Sequence, residues 1–176
     1  MNALQSRRMQ WREFDFGDAQ SLIDLDADPR VREYLIDDPV DSPTKALLLI
    51  QHLQSLYADG RGLGIWRAAD DEDAFLGYFS LMPVNECLDQ VEIGVRLRPE
   101  AWGKFYALEG GRALCDYAFD TLNLRRLVGY CDPGNRVIGI LLRRLGFRDT
   151  GLTTHFERHA QSFERLAPSS SESRTG

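Results

Sequence analysis

The succession laid out between Gln90 and Phe147 constrains this chain more than any other feature. Gln90 to Leu97 (QVEIGVRL) alternates: Val91, Ile93, Val95 and Leu97 take one side, Glu92, Gly94 and Arg96 the other. That is the period of a strand. Arg98-Pro99-Glu100-Ala101-Trp102-Gly103-Lys104 forms a connection, and from Tyr106 to Leu122 apolar residues recur at helical spacing. Leu127 to Cys131 (LVGYC) reads as a short apolar strand. Asp132-Pro133-Gly134-Asn135 reads as a turn, and Val137 to Leu145 as a helix stopped by Gly146-Phe147.

Upstream, Met9 to Phe14 alternates like a strand, and Asp18 is a plausible N-cap for a helix carrying Ala19, Leu22, Ile23 and Leu25. Asp28-Pro29 breaks that helix, and Val31 to Leu35 suits a short second one. Ser42-Pro43 opens a third, which Asp59-Gly60 ends. Leu63 to Ala69 and Ala74 to Met82 flank the acidic run Asp70 to Asp73 and read as a hairpin. Downstream, Thr150 to Arg158 reads as one strand, with Ser162 to Leu166 able to pair with it. Early hairpins followed by strand–helix alternation predict an α/β (α+β) fold, with a mixed, mostly antiparallel sheet of six to seven strands and helices on both faces. One domain is expected over residues 1–166, with 167–176, Ser-rich and holding Pro168, as a disordered tail.

Composition narrows function mainly by exclusion. A net charge of −6 argues against nucleic acid, whose phosphates demand clustered Lys and Arg. It mildly favours a cationic partner. No apolar run approaches the roughly 20 residues that span a bilayer, so no membrane role is expected. Three scattered cysteines, Cys87, Cys115 and Cys131, match no metal or redox spacing and suit the reducing cytoplasm. His155 and His159, four apart on a stretch read as strand, would lie roughly 13 Å apart, too far to share a metal, and read as surface or paired residues.

The segment VEIGVRLRPEAWGKFYALEGGRALCDYAF, followed by LRRLVGYCDPGNRVIGILLRRLGF, resembles the GNAT acetyltransferase superfamily, most of all the branch of ribosomal-protein N-terminal acetyltransferases. The resemblance rests on EIG, PE-x-WGK-x-YA, DPGN and LGF together. It implies a GNAT fold and acetyl-CoA as co-substrate, with no metal. Backbone amides from Trp102 through Gly103, Lys104, Phe105, Tyr106 and Ala107 would cradle the pyrophosphate. Backbone from Val95 through Leu97 to Arg98 would bond the pantetheine arm, in a slot made where this strand splays from Leu127–Cys131. The Asn135 amide would touch the same arm.

Two positions depart from the family. Phe105 stands where the family loop usually has Gly, and is tolerable there if the backbone is already helical. Ile138 stands where this branch often has a Ser set to meet the thioester sulfur, and Ile cannot donate a proton.

The implied reaction is attack of an amine on the acetyl thioester, which needs a base. Glu92 is the candidate; the alternative is a strand carboxylate paired with an arginine such as Arg96. An N–H near Gly94 or Val95 would hold the oxyanion. Tyr130 and Tyr106 are candidate acids, while Cys131 reads as a packed thiol. Asp37, Asp38 and Asp41 would border the acceptor site as solvated loop carboxylates. The leading function is N-acetylation of a primary amine, a protein N-terminus or a small molecule, by a monomer or homodimer. The alternative is a non-catalytic acyl-CoA-binding or protein-interaction module. A third reading, an unrelated α/β domain, requires the motif match to be chance.

Overall fold

The computed structural model describes residue 4 and residues 6–84 and 87–168, except for the side chains at 87–89. The chain forms β1 (Gln10–Glu13), α1 (Ala19–Ala27), α2 (Pro29–Arg32), α3 (Pro43–Ala58), β2 (Gly64–Ala69), β3 (Phe75–Val84), β4 (Cys87–Leu97), α4 (Tyr106–Asp116), β5 (Arg126–Cys131), α5 (Arg136–Arg144), β6 (Arg148–His155) and β7 (Arg158–Leu166). One seven-stranded sheet runs in the order β1-β2-β3-β4-β5-β7-β6. Every neighbouring pair is antiparallel except β4 and β5. These two are linked through α4, as a parallel crossover requires.

Alternation along the strands feeds two apolar layers. On one face Trp66, Phe79, Leu81, Val91, Ile93 and Leu127 meet Leu114 and Cys115 of α4 and Leu142 of α5. On the other, Ile50 and Leu53 of α3 and Leu22 of α1 pack with Phe14, Ile65 and Tyr78. The expected mixed sheet with helices on both faces is present.

Local chemistry sets the helix ends. Ser42 Oγ accepts from the Lys45 N–H at 3.3 Å, with Pro43 in the first turn of α3. Asp28 caps α2 through the Arg30 N–H. Asp18 does not act as the expected cap of α1, as its side chain makes no cap bond there. It accepts instead from Arg12 (2.7 Å to each oxygen) and from the Asp15 N–H (2.9 Å), because a buried carboxylate needs charged partners more than a helix start needs it. Asp15 caps the short turn Phe16–Asp18.

Three more expectations change. The helix from Tyr106 does not run unbroken to Leu122: it passes into a π-helical turn at Tyr117–Thr121, where the Tyr117 hydroxyl donates to the Gly62 carbonyl at 3.1 Å. Thr150 to Arg158 is not one strand. The chain reverses at Phe156 and Glu157, both with positive φ (47° and 61°), so that His155 pairs with Arg158 and Thr154 with His159. Ala167 is tied by its N–H to the Arg125 carbonyl at 2.9 Å. The rest of the expected tail beyond 168, and the Cys87 side chain, lie outside the described residues.

Candidate active site

The parallel ladder between β4 and β5 is short. Only Val91↔Leu127 and Glu92↔Val128 are in register. Beyond Val128, β5 stays with β7 as far as Cys131, while β4 stays with β3 as far as Leu97. The two strands therefore splay, and the gap opens into a cleft of about 320 Å³, within the range of small-ligand sites. Glu92 stands at the last paired position. Val95, Tyr130, Ala107 and Asn135 line the same cleft.

Backbone chemistry along β4 follows from the register. The Arg98 N–H donates to the Leu76 carbonyl at 2.8 Å. Alternation then points the N–H groups of Gly94 and Arg96 at β3 as well, and those of Val95 and Leu97 at the gap. Of the two oxyanion candidates, Val95 thus has the better-placed N–H. The Arg98 backbone is already committed, because its carbonyl accepts from the Ala101 N–H at 2.9 Å. Its N–H is thus unavailable to a ligand arm, and only the second lone pair of its carbonyl remains. The Leu97 carbonyl is taken by Trp102 Nε1 at 3.0 Å, which pins the loop to the end of β4.

That loop leads into α4 with no capping side chain, so the first N–H groups of the helix keep their positive partial charge. Gly103 has φ 72°, and a Cβ there would meet nothing within 4 Å. Phe105 is left-handed, at φ 65° and ψ 10°. The idea that it would sit in helical backbone fails: the position is one that favours glycine, and Phe occupies it under strain. Phe105 is 65% exposed and lines a surface groove with Leu108 and Arg112, not the cleft. The Lys104 side chain is exposed, and its carbonyl accepts from Arg8 at 3.0 Å. The Tyr106 ring lies beneath the Arg8 guanidinium, 4.4 Å from its carbon. It faces the N-terminal segment, away from the cleft, which removes it as a candidate acid.

Asn135 caps α5, its Oδ1 accepting from the Ile138 N–H at 3.3 Å. Its amide NH₂ is the group left for a ligand. Ile138 packs its side chain against the core.

Glu92 does not pair with Arg96. Its Oε2 lies 3.2 Å from His155 Nε2, with both side chains largely buried. The imidazole stacks on Tyr130, with centroids 4.0 Å apart and planes 14° apart. Burial first, and the Glu92 charge second, push the Tyr130 hydroxyl up from its ordinary value, so it stays protonated at neutral pH. Burial likewise raises the Cys131 thiol, which leaves it a poor nucleophile.

Arg96 instead reaches Asp26 (2.7 Å) and Asp37 (2.8 Å). Asp37 also pairs with Arg32 at 2.8 Å. Against the opposing effect of burial, these two guanidiniums hold Asp37 below the usual carboxylate range. It is a half-exposed carboxylate at the cleft wall, solvated as expected but also ion-paired. Asp41 pairs with Lys45 at 3.0 Å. Among the described residues no cluster of His, Cys, Asp or Glu is arranged to hold a metal.

A family model described as an acetyltransferase (GNAT) domain matches residues 8–148. The chain is 28% identical over 158 residues to the uncharacterized N-acetyltransferase p20 of Bacillus licheniformis, covering 90% of this chain and 89% of that one. It is 24% identical over 153 residues to the uncharacterized N-acetyltransferase YoaA of Bacillus subtilis, covering 87% and 86%. The ribosomal-protein-S5-alanine acetyltransferase of Vibrio fischeri superposes with a TM-score of 0.78 at 17% identity, over 92% and 94% of the two chains. The spermidine N-acetyltransferase of Vibrio cholerae, solved with CoA and spermine, gives 0.75 at 18% identity, over 90% and 95%. At such identities these two structures speak for the fold alone. The family model spans most of the chain, including the splayed strands and the loop into α4, and the chain belongs to the GNAT acetyltransferase family.

Proposed function

We propose that this GNAT enzyme moves the acetyl group of acetyl-CoA onto the nitrogen of a primary amine, carried by a small molecule or a protein N-terminus. The observation that carries the reading is the gap between β4 and β5, with Glu92 at its closed end. The free N–H groups of Val95 and Leu97 suit the amide-bearing pantetheine arm, and the uncapped start of α4 beside Gly103 suits the pyrophosphate. Phe105 stays out of the cleft that holds Glu92, which favours an enzyme over a binding module.

In the reaction, Glu92 takes a proton from the substrate ammonium. The freed nitrogen attacks the thioester carbonyl, a C–N bond forms, and the Val95 N–H stabilises the oxyanion. Collapse breaks the C–S bond. The thiolate leaves with the bonding electrons and takes up a proton from Tyr130 or water, while the amide nitrogen sheds its second proton to solvent. No helix among the described residues is long and apolar enough to cross a membrane, and the scattered cysteines suit a cytoplasmic enzyme.

Thermal unfolding with acetyl-CoA tests the co-substrate. At about 100 times Kd the ligand adds roughly 2.7 kcal/mol, a Tm rise of roughly 5–11 °C for a chain of this size. Thiol release across an amine panel tests the transfer, with Glu92→Gln expected to lower kcat by about 100-fold or more. No Tm change at millimolar acetyl-CoA would return the chain to the interaction-module reading.

A further inference from the structure

We propose that His155 is a positioning residue for the acetyl transfer, its Nε2 standing 3.2 Å from Glu92 Oε2 and holding that carboxylate toward the cleft. This rests on the reading of Glu92 as the base. Glu92 sits on β4 just where β5 departs, so on that side no strand continues to fix its side chain. A glutamate has three rotatable bonds and loses substantial freedom when ordered. The β6–β7 hairpin brings an imidazole nitrogen to it: His155 Nε2 lies 3.2 Å from Glu92 Oε2.

The imidazole is itself held from two sides. Tyr130 of β5 stacks on one side at 4.0 Å, and Phe156 packs against it at 4.3 Å and 55°. The hairpin turn sets this geometry, since Phe156 and Glu157 both take positive φ and carry His155 back over β5. The side chain is only 15% exposed, so the contact is not a mobile surface pair. His155 and Tyr130 both line the cleft that holds Glu92. A carboxylate fixed in one rotamer, with its second oxygen left for the amine, is the arrangement that general-base catalysis needs.

The test separates the polar contact from the packing. His155→Phe keeps a ring to stack on Tyr130 but has no donor, and His155→Gln keeps a side-chain N–H donor. We expect His155→Phe to lower kcat by roughly 10- to 100-fold, with the KM for acetyl-CoA and the Tm unchanged. His155→Gln should restore most of that loss. In the double variant with Glu92→Gln, His155→Phe should add no further loss, because both act through one group. Full kcat in His155→Phe alongside an inactive Glu92→Gln overturns the positioning role and leaves the base reading standing. Losses that multiply in the double variant also overturn it. Full activity in Glu92→Gln overturns both.

Discussion

Arg96 Nη1 lies 2.7 Å from Asp26 Oδ1, joining residues 70 positions apart. Asp26 is almost wholly buried. Its other oxygen accepts the Val40 N–H at 2.8 Å, and Arg32 stands 3.7 Å away. The pair therefore fastens α1 and the loop before α3 to the strand that carries Glu92. Arg96→Met would strip Asp26 of its nearest charge and leave a buried carboxylate poorly matched. We expect a loss of about 3 kcal/mol in urea unfolding, as for other buried pairs with one partner removed. A loss under about 1 kcal/mol would mean that Arg32 moves in to replace it.

The same network sets the response to acid. Asp37, held down by Arg96 and Arg32 against burial, and Asp18, held down by Arg12 against burial, both have carboxyl pKa values below the ordinary one. A group whose pKa is depressed on folding adds stability above its unfolded value, about 3.9, and that stability drains away as pH falls through the lower folded value. Tm should therefore hold level from neutral pH down to about 4 and fall below it. The Asp37→Asn variant should fall less steeply. Equal slopes in the two proteins would show that the ion pair adds nothing.

Phe105 offers a backbone test. With φ at 65° and its ring exposed, it carries left-handed strain with little packing to offset it. Phe105→Gly removes the strain and Phe105→Ala keeps it. The Gly variant should be the more stable by about 0.5–1 kcal/mol, once the greater unfolded freedom of glycine is set against the strain. The usual order is the reverse, so denaturant midpoints decide the matter.

Gly110 faces the opposite constraint. A Cβ there would stand 2.2 Å from Phe79 Cζ. That ring is fully buried and stacked on Trp11 at 4.5 Å, so it cannot swing aside. Gly110→Ala should cost about 1–3 kcal/mol from overpacking, outweighing the roughly 1 kcal/mol that alanine gains in a helix. A stabilised variant would show that α4 can shift off the sheet.

Much of this was legible in local chemistry. Ser42-Pro43 announced α3, and the alternation from Val91 to Leu97 placed Glu92 on the face away from the core. What stayed hidden depended on partners distant in sequence, or on turns without their usual residues. Phe156 and Glu157 adopt positive φ with no Gly, Asn or Pro to signal it, so the sequence pattern carries the strand straight through His155. Only the reversal brings that histidine to Glu92. The ion pairing of Asp37 is hidden from the sequence because its guanidinium partner Arg96 lies 59 positions away. Asp18 looked like a cap because its competing partners, Arg12 and Arg67, belong to neighbouring strands.

The charge pattern around the cleft bears on the acceptor. Asp26 and Asp37 are both answered by Arg96 and Arg32, Glu92 faces His155, and Asp132 turns one oxygen to the Gly134 N–H at 2.7 Å. A polyamine gains over a monoamine only where extra carboxylates stand unmatched along its length. Here two guanidiniums sit beside two of the carboxylates and would repel its further charges. Tyr34, Ile36 and Phe156 line the same cleft and suit an apolar body beside a single amine. We expect kcat/KM for spermidine to be no higher than for a monoamine with an apolar chain. It should change little between about 50 and 500 mM salt, since screening matters most where unmatched charges attract. A strong spermidine preference that collapses with salt would show that Asp37 leaves its arginines to meet the substrate.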